Sequence, residues 1–116
     1  SASSSSLSRR HMQKRRVCPA AEMSDGDMRR VEAQIPIAIY RVNGEFFATA
    51  ATCTHMDSCL TEGYLDDDVV ECLLHGAQFS VRDGRALSLP ATEPLQTFSV
   101  EVSEGDVYVE VPDEAS

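Results

Sequence analysis

The sequence predicts an all-β protein built from antiparallel strands, arranged as small packed sheets or a small barrel. Three observations carry this expectation. Apolar residues fall in short runs of strand length. The dipeptides Asn43-Gly44, Asp83-Gly84 and Glu104-Gly105 punctuate them with turn chemistry that favours positive φ. No stretch repeats its apolar residues at the helical period.

Each element follows in chain order. Val31–Gln34 and Ile37–Val42 are apolar runs on either side of Pro36. Asn43-Gly44 then joins Ile37–Val42 to Glu45–Thr49, and Asn-Gly between two such runs is a strong hairpin signal. Asp67–Leu73 reads as one strand, and Ala77–Arg82 and Arg85–Leu89 flank Asp83-Gly84 as a second hairpin. Thr97–Val102 and Val107–Val111 alternate apolar and polar residues around Glu104-Gly105, which predicts a closing hairpin.

A chain of 116 residues fits one domain with a modest core. The expected domain covers residues 17–111, followed by a tail over 112–116. Residues 1–16 open on Ser1-Ala2-Ser3-Ser4-Ser5-Ser6, with no Met at position 1. They are read as an appended, unstructured tag, with the natural chain beginning near Met12 and His11 inert. A Ser- and Arg-rich start without acids also fits an organelle transit peptide.

Residues 1–16 hold Arg9, Arg10, Lys14, Arg15 and Arg16 and no acid. The remaining hundred residues carry five basic groups against nineteen acidic ones, a formal charge of −14. Nucleic acid is an improbable partner for such a surface, because phosphate contacts need a basic footprint. The acidity serves either solubility or steering toward basic patches on a partner. No apolar run approaches membrane-spanning length, so a membrane is not an expected partner, and the expected location is the cytoplasm.

Four cysteines would allow two disulfides, but the chain shows no secretory signal pattern. Cys18 and Cys59 are read as a buried small hydrophobe and a loop residue. The other two stand in short boxes, Cys53-Thr54-His55 and Cys72-Leu73-Leu74-His75, with sixteen residues between His55 and Cys72. Two thiolates and two imidazoles in one small module form a soft, mixed donor set. A structural zinc site accepts the same four donors, although zinc pairs usually leave two or more residues between ligands and Cys53-x-His55 leaves one.

The second box continues as His75-Gly76-Ala77-Gln78-Phe79, and the first is followed by Leu60-Thr61-Glu62-Gly63. With these neighbours the chain resembles the Rieske-type [2Fe–2S] ferredoxins that serve bacterial aromatic-ring-hydroxylating dioxygenases of the biphenyl, naphthalene and carbazole type. The resemblance runs from about Val17 to Val111. It implies an antiparallel β-sandwich or small barrel with an inserted cluster-binding subdomain, whose loops are 52–63 and 72–79. It implies one [2Fe–2S] cluster per chain, with Cys53 and Cys72 on the inner iron and His55 and His75 on the outer one. It further implies that Ser88–Pro94 covers the cluster, although a plain strand connection fits those residues equally well.

Neutral imidazoles leave the oxidised cluster without net charge, which makes it easier to reduce than an all-cysteine one. High-potential members of the family join the two boxes by a disulfide and place Ser and Tyr hydroxyls beside the cluster. This chain has Leu74, Ala77 and Phe79 at the corresponding places, and Cys59 is one residue too far along. The neighbours therefore predict no disulfide and a low-potential centre. Gly63 and Gly76 serve tight backbone geometry or contact the cluster, and Met56, Leu60, Leu73 and Leu74 are expected to shield it. Asp57 and Asp66-Asp67-Asp68 are solvated loop charges or determinants of partner choice.

The resemblance implies a one-electron carrier and not an enzyme. Its expected partners are an NAD(P)H-dependent flavoprotein reductase and a terminal oxygenase, and its expected state is a monomer. With both box histidines committed, only His11 remains, so neither a mononuclear iron triad nor a Ser-His-Asp triad can be assembled. A Gly-rich dinucleotide fingerprint is absent too. Two other roles accommodate the same centre: the small subunit of a nitrite-reductase-like oxidoreductase, and a redox or oxygen sensor.

Overall fold

The computed structural model describes residues 12–33, 35–51, 60–73, 76–88 and 93–112. Among the described residues, ten antiparallel strands form three small sheets. Strands β1 (Met12–Pro19), β10 (Asp106–Pro112) and β9 (Val100–Ser103) make the first, in the order β1-β10-β9. Strands β2 (Met28–Glu32), β3 (Pro36–Val42), β4 (Glu45–Ala50) and β8 (Thr97–Phe98) make the second, in that order. The third consists of β5 (Tyr64–Asp66), β6 (Val69–Glu71) and β7 (Gln78–Ser80). Two 3₁₀ turns, Ala20–Glu22 and Leu60–Glu62, are the helical elements among the described residues. No helix among them is long and apolar enough to cross a membrane.

Strand β3 organises the interior because it is buried on both faces, which explains its nearly unbroken apolar sequence. Ile37 and Ile39 point into a core shared with Val107, Val109 and Val111 of β10 and with Cys18 and Phe98. Ala38, Tyr40 and Val42 point the other way, into a core completed by Leu60, Val70, Cys72, Ala77, Phe79 and Val81. One strand thus carries the sandwich on one side and the third sheet on the other. The Tyr40 hydroxyl keeps a partner in this interior, the Thr49 hydroxyl at 2.9 Å.

The turn dipeptides at two hairpins behave as expected. Asn43 and Gly44 have φ of 52° and 82°, and Glu104 and Gly105 have 52° and 81°, the signature of tight primed turns. The run Thr97–Val102 is not one strand. Phe98 pairs with Ala48, whereas Val100 pairs with Val109, so the chain changes sheets at Ser99. Glu110 donates its N–H to the Ser99 carbonyl at this corner (2.9 Å).

Several expected bounds move. Asp67 adopts φ 58° in the turn between β5 and β6, so the predicted strand Asp67–Leu73 shrinks to Val69–Glu71. Arg85–Leu89 forms no strand among its described residues; Ala86 makes an isolated bridge to Phe79. The strand β1 begins at Met12, so residues 12–16 belong to the sheet and not to the unstructured segment with which the serine-rich start grouped them. Backbone pairing with β10 holds them, supported by the Lys14–Glu101 and Arg16–Asp106 ion pairs. Residues 1–11 and 113–116 lie outside the described residues.

Candidate metal centre

The third sheet places the second box. Strand β6 alternates, with Val70 inward and Glu71 outward, and Cys72 continues the pattern inward at 1% exposure. Its N–H donates to the Ala77 carbonyl at 2.8 Å, and its carbonyl accepts the Gly76 N–H at 2.9 Å. These two bonds hold Cys72, Gly76 and Ala77 together as the base of a knuckle between β6 and β7. Gly76 ends it with φ 71°, a left-handed conformation that glycine adopts without strain.

The first box is closed at its base. Leu60 donates its N–H to the Ala51 carbonyl (2.6 Å), which holds the two described residues that flank 52–59 side by side. Ala51 in turn donates to the Pro36 carbonyl (3.0 Å), fastening that base to β3. Leu60 is fully buried and anchors the 3₁₀ turn in the same core as Cys72, so it is a packing residue of the site's floor. Leu73, expected to shield the irons, is half exposed.

Gly63 joins the two boxes. A Cβ at this position would stand 1.9 Å from the Glu71 carbonyl oxygen and 3.2 Å from the Leu73 nitrogen. The exit of the first box therefore lies directly against the backbone that launches the second. The sequence left Gly63 between tight backbone geometry and contact with the cluster; the neighbour that makes glycine obligatory is Glu71, eight residues away in sequence. The bases of both boxes meet, with Cys72 buried at the junction. Cys53, His55, Cys59 and His75 lie outside the described residues, as does the middle of Ser88–Pro94.

The surroundings are acidic. Residues 60–88 carry six carboxylates against Arg82 and Arg85. Arg82 is spoken for, paired with Asp68 at 3.1 Å and lying over the Phe47 ring. The other described cysteine, Cys18, sits in the opposite core with a free thiol. Burial pushes that thiol above its ordinary pKa, with Arg29 opposing, so it stays protonated and packs as a small hydrophobe, as expected from its setting.

A buried thiol at a glycine-closed knuckle suits a soft metal, and the donor chemistry of the boxes fits an iron–sulfur group. Comparison with known proteins decides the kind. The Rieske [2Fe-2S] domain family matches residues 13–99. The ferredoxin component of biphenyl 2,3-dioxygenase from Rhodococcus jostii (strain RHA1) is 50% identical over 97 residues, covering 83% of this chain and 91% of that protein. A solved complex of reduced oxygenase and oxidised ferredoxin in carbazole 1,9a-dioxygenase contains a chain that superposes with a TM-score of 0.81. That chain is 49% identical, and the match covers 83% of this chain and 91% of its length. The Sphingomonas yanoikuyae B1 ferredoxin superposes equally well, TM-score 0.81, at 35% identity over 86% of this chain and all of that one. The cofactor is accordingly a Rieske-type [2Fe–2S] cluster and not structural zinc. The folded core, the joined bases of the two boxes and these relatives agree: the chain belongs to the Rieske [2Fe–2S] domain family.

Proposed function

We propose that this chain is the ferredoxin of an aromatic-ring-hydroxylating dioxygenase system, taking electrons from an NAD(P)H-dependent flavoprotein reductase and delivering them to a terminal oxygenase. It is an electron carrier and not a catalyst, as its named relatives are ferredoxin components of such systems. The observation that carries the reading is the 50% identity to the biphenyl dioxygenase ferredoxin across 91% of that protein.

The proposed cluster ligands are Cys53, His55, Cys72 and His75. A cluster held by them supplies reversible one-electron storage. The protein's part is to hold and bury it. Cys72 is fixed from below by Leu60 and Phe79, and Gly63 locks the two boxes together. Ala77 and Phe79 pack in the same apolar core as Cys72 and have no side-chain donor to offer. Fewer hydrogen bonds to the sulfurs stabilise the reduced state less. The midpoint potential is expected in the lower half of the Rieske range of about −150 to +300 mV. A redox titration giving more than about +100 mV contradicts this tuning.

The free thiol of Cys18 suits a compartment where thiols stay reduced, and the cytoplasm is the proposed one. A monomer suits a carrier whose encounters are brief. The reading is tested by stopped-flow absorption with the biphenyl-system reductase and oxygenase. NADH should bleach the chain's visible band only when reductase is present, and oxygenase should restore it. A chain that neither accepts nor passes electrons overturns the reading.

A further inference from the structure

Among the described residues, three of the five large, well-exposed apolar side chains lie on or just beyond the small third sheet: Tyr64 at 65%, Leu73 at 51% and Leu87 at 47%. Register explains how they gather. Tyr64 pairs with Glu71, and Glu71 pairs with Gln78. Leu87 extends the same line by donating its N–H to the Gln78 carbonyl at 2.7 Å. Residues directly opposite in antiparallel strands share a face. Their neighbours Leu65, Val70 and Phe79 turn toward the core, so this row turns to solvent. It is the last row before the knuckle that begins at Cys72, and alternation puts Leu73 on the same side at its cluster-proximal end.

Resting on the function proposed above, we infer that Tyr64, Leu73 and Leu87 are the apolar anchors of a docking surface for the terminal oxygenase, with Glu71 and Gln78 between Tyr64 and Leu87, and that the matching surface presents apolar seats interspersed with Lys and Arg. Charge complementarity selects this occupant. The 60–88 segment carries a net charge of −4, with Glu62, Asp66 and Glu71 on or beside the row. A second copy of this chain would meet its own acidic rim, and like charges across an interface cost affinity. A few exposed aromatic and aliphatic anchors within a polar rim are the usual energetic centre of a protein contact. Their place beside the Cys72 knuckle would bring the partner close to the proposed outer iron.

The test uses the cluster-loaded protein with Tyr64→Ser and Leu87→Ser combined, both on exposed side chains outside the ligand boxes. Visible circular dichroism and midpoint potential should match the wild type, showing an intact centre. The second-order rate of oxygenase reduction, measured with the biphenyl, phenylpropionate and carbazole oxygenases and taken for the fastest, should fall about tenfold. Asp66→Asn should instead flatten the salt dependence of the wild-type rate. An unchanged rate in the double variant overturns this surface. So does slower reduction of the chain by its reductase with unchanged delivery to the oxygenase, or a concentration-dependent dimer of the wild type that the double variant loses. A wild-type chain that reduces none of the three oxygenases fails at the functional reading itself, and the surface falls with it.

Discussion

Replacing His75 with alanine is expected to leave a folded β-scaffold that has lost its native cluster, and Cys72→Ser is expected to do the same. The two effects have different routes. His75 is proposed as a ligand to the outer iron, so its loss opens that iron to solvent or foreign ligands. Cys72 is buried at 1% exposure under the knuckle, so serine removes a soft thiolate and leaves a hydroxyl among Leu60, Ala77 and Phe79. An unsatisfied hydroxyl in such a site costs about 1–3 kcal/mol in addition to the lost metal bond. The sandwich core of Ile37, Ile39, Val107 and Val109 does not include Cys72, and far-UV circular dichroism of both variants should retain its β signature. Iron content should drop from about two per chain toward zero. A His75→Ala protein with full iron and an unaltered visible spectrum would remove His75 from the ligand set.

Gly63→Ala should have the second-largest effect. The obstacle is not conformational freedom but space. The new methyl would stand 1.9 Å from a backbone carbonyl oxygen of Glu71, and a backbone atom cannot swing aside as a side chain can. Relief requires the first box to separate from β6, which loosens both box bases at once. Overpacking of this kind costs about 1–3 kcal/mol and occasionally more, and the damage here falls on cluster loading as well as on global stability. Gly26→Ala is the comparison. Gly26 has φ 90° and open space around it, so alanine there meets backbone strain and no collision. Denaturant melts paired with iron analysis should show cluster occupancy falling in Gly63→Ala and holding in Gly26→Ala. Equal occupancy in the two variants would mean that the box bases tolerate separation.

The hairpins at Asn43-Gly44 and Glu104-Gly105 were legible because their turn residues and apolar alternation agree locally. Strand β3 was legible because double burial leaves an unbroken apolar run. Strand β1 was not, since Gln13-Lys14-Arg15-Arg16 has no apolar alternation and is held by pairing with β10 at the far end of the chain. The sheet change at Ser99 was hidden for the opposite reason: alternation runs straight through it while its two halves find different partners. Arg85–Leu89 was over-read, because a turn dipeptide promises a hairpin and Leu87 faces solvent with no core to keep it there.

The site divides in the same way. The ligand boxes were visible because cysteine and histidine at those spacings are chemically distinctive. The packing that supports them depends on contacts across sequence, as with Gly63 against Glu71 and Ala51 against Leu60. The row of Tyr64, Glu71, Gln78 and Leu87 depends on register among short strands, and β5 is only three residues long.

Two histidines and two cysteines of this chain are proposed to hold its cluster. The most direct measurement is nitrogen hyperfine spectroscopy on the reduced protein labelled with 15N-histidine. The chain has three histidines, so His11→Gln serves as the control. Couplings from two imidazole nitrogens, unchanged in His11→Gln and so assigned to His55 and His75, are the predicted result. An iron-loaded protein without histidine coupling would contradict the assignment and leave the cluster held by other residues.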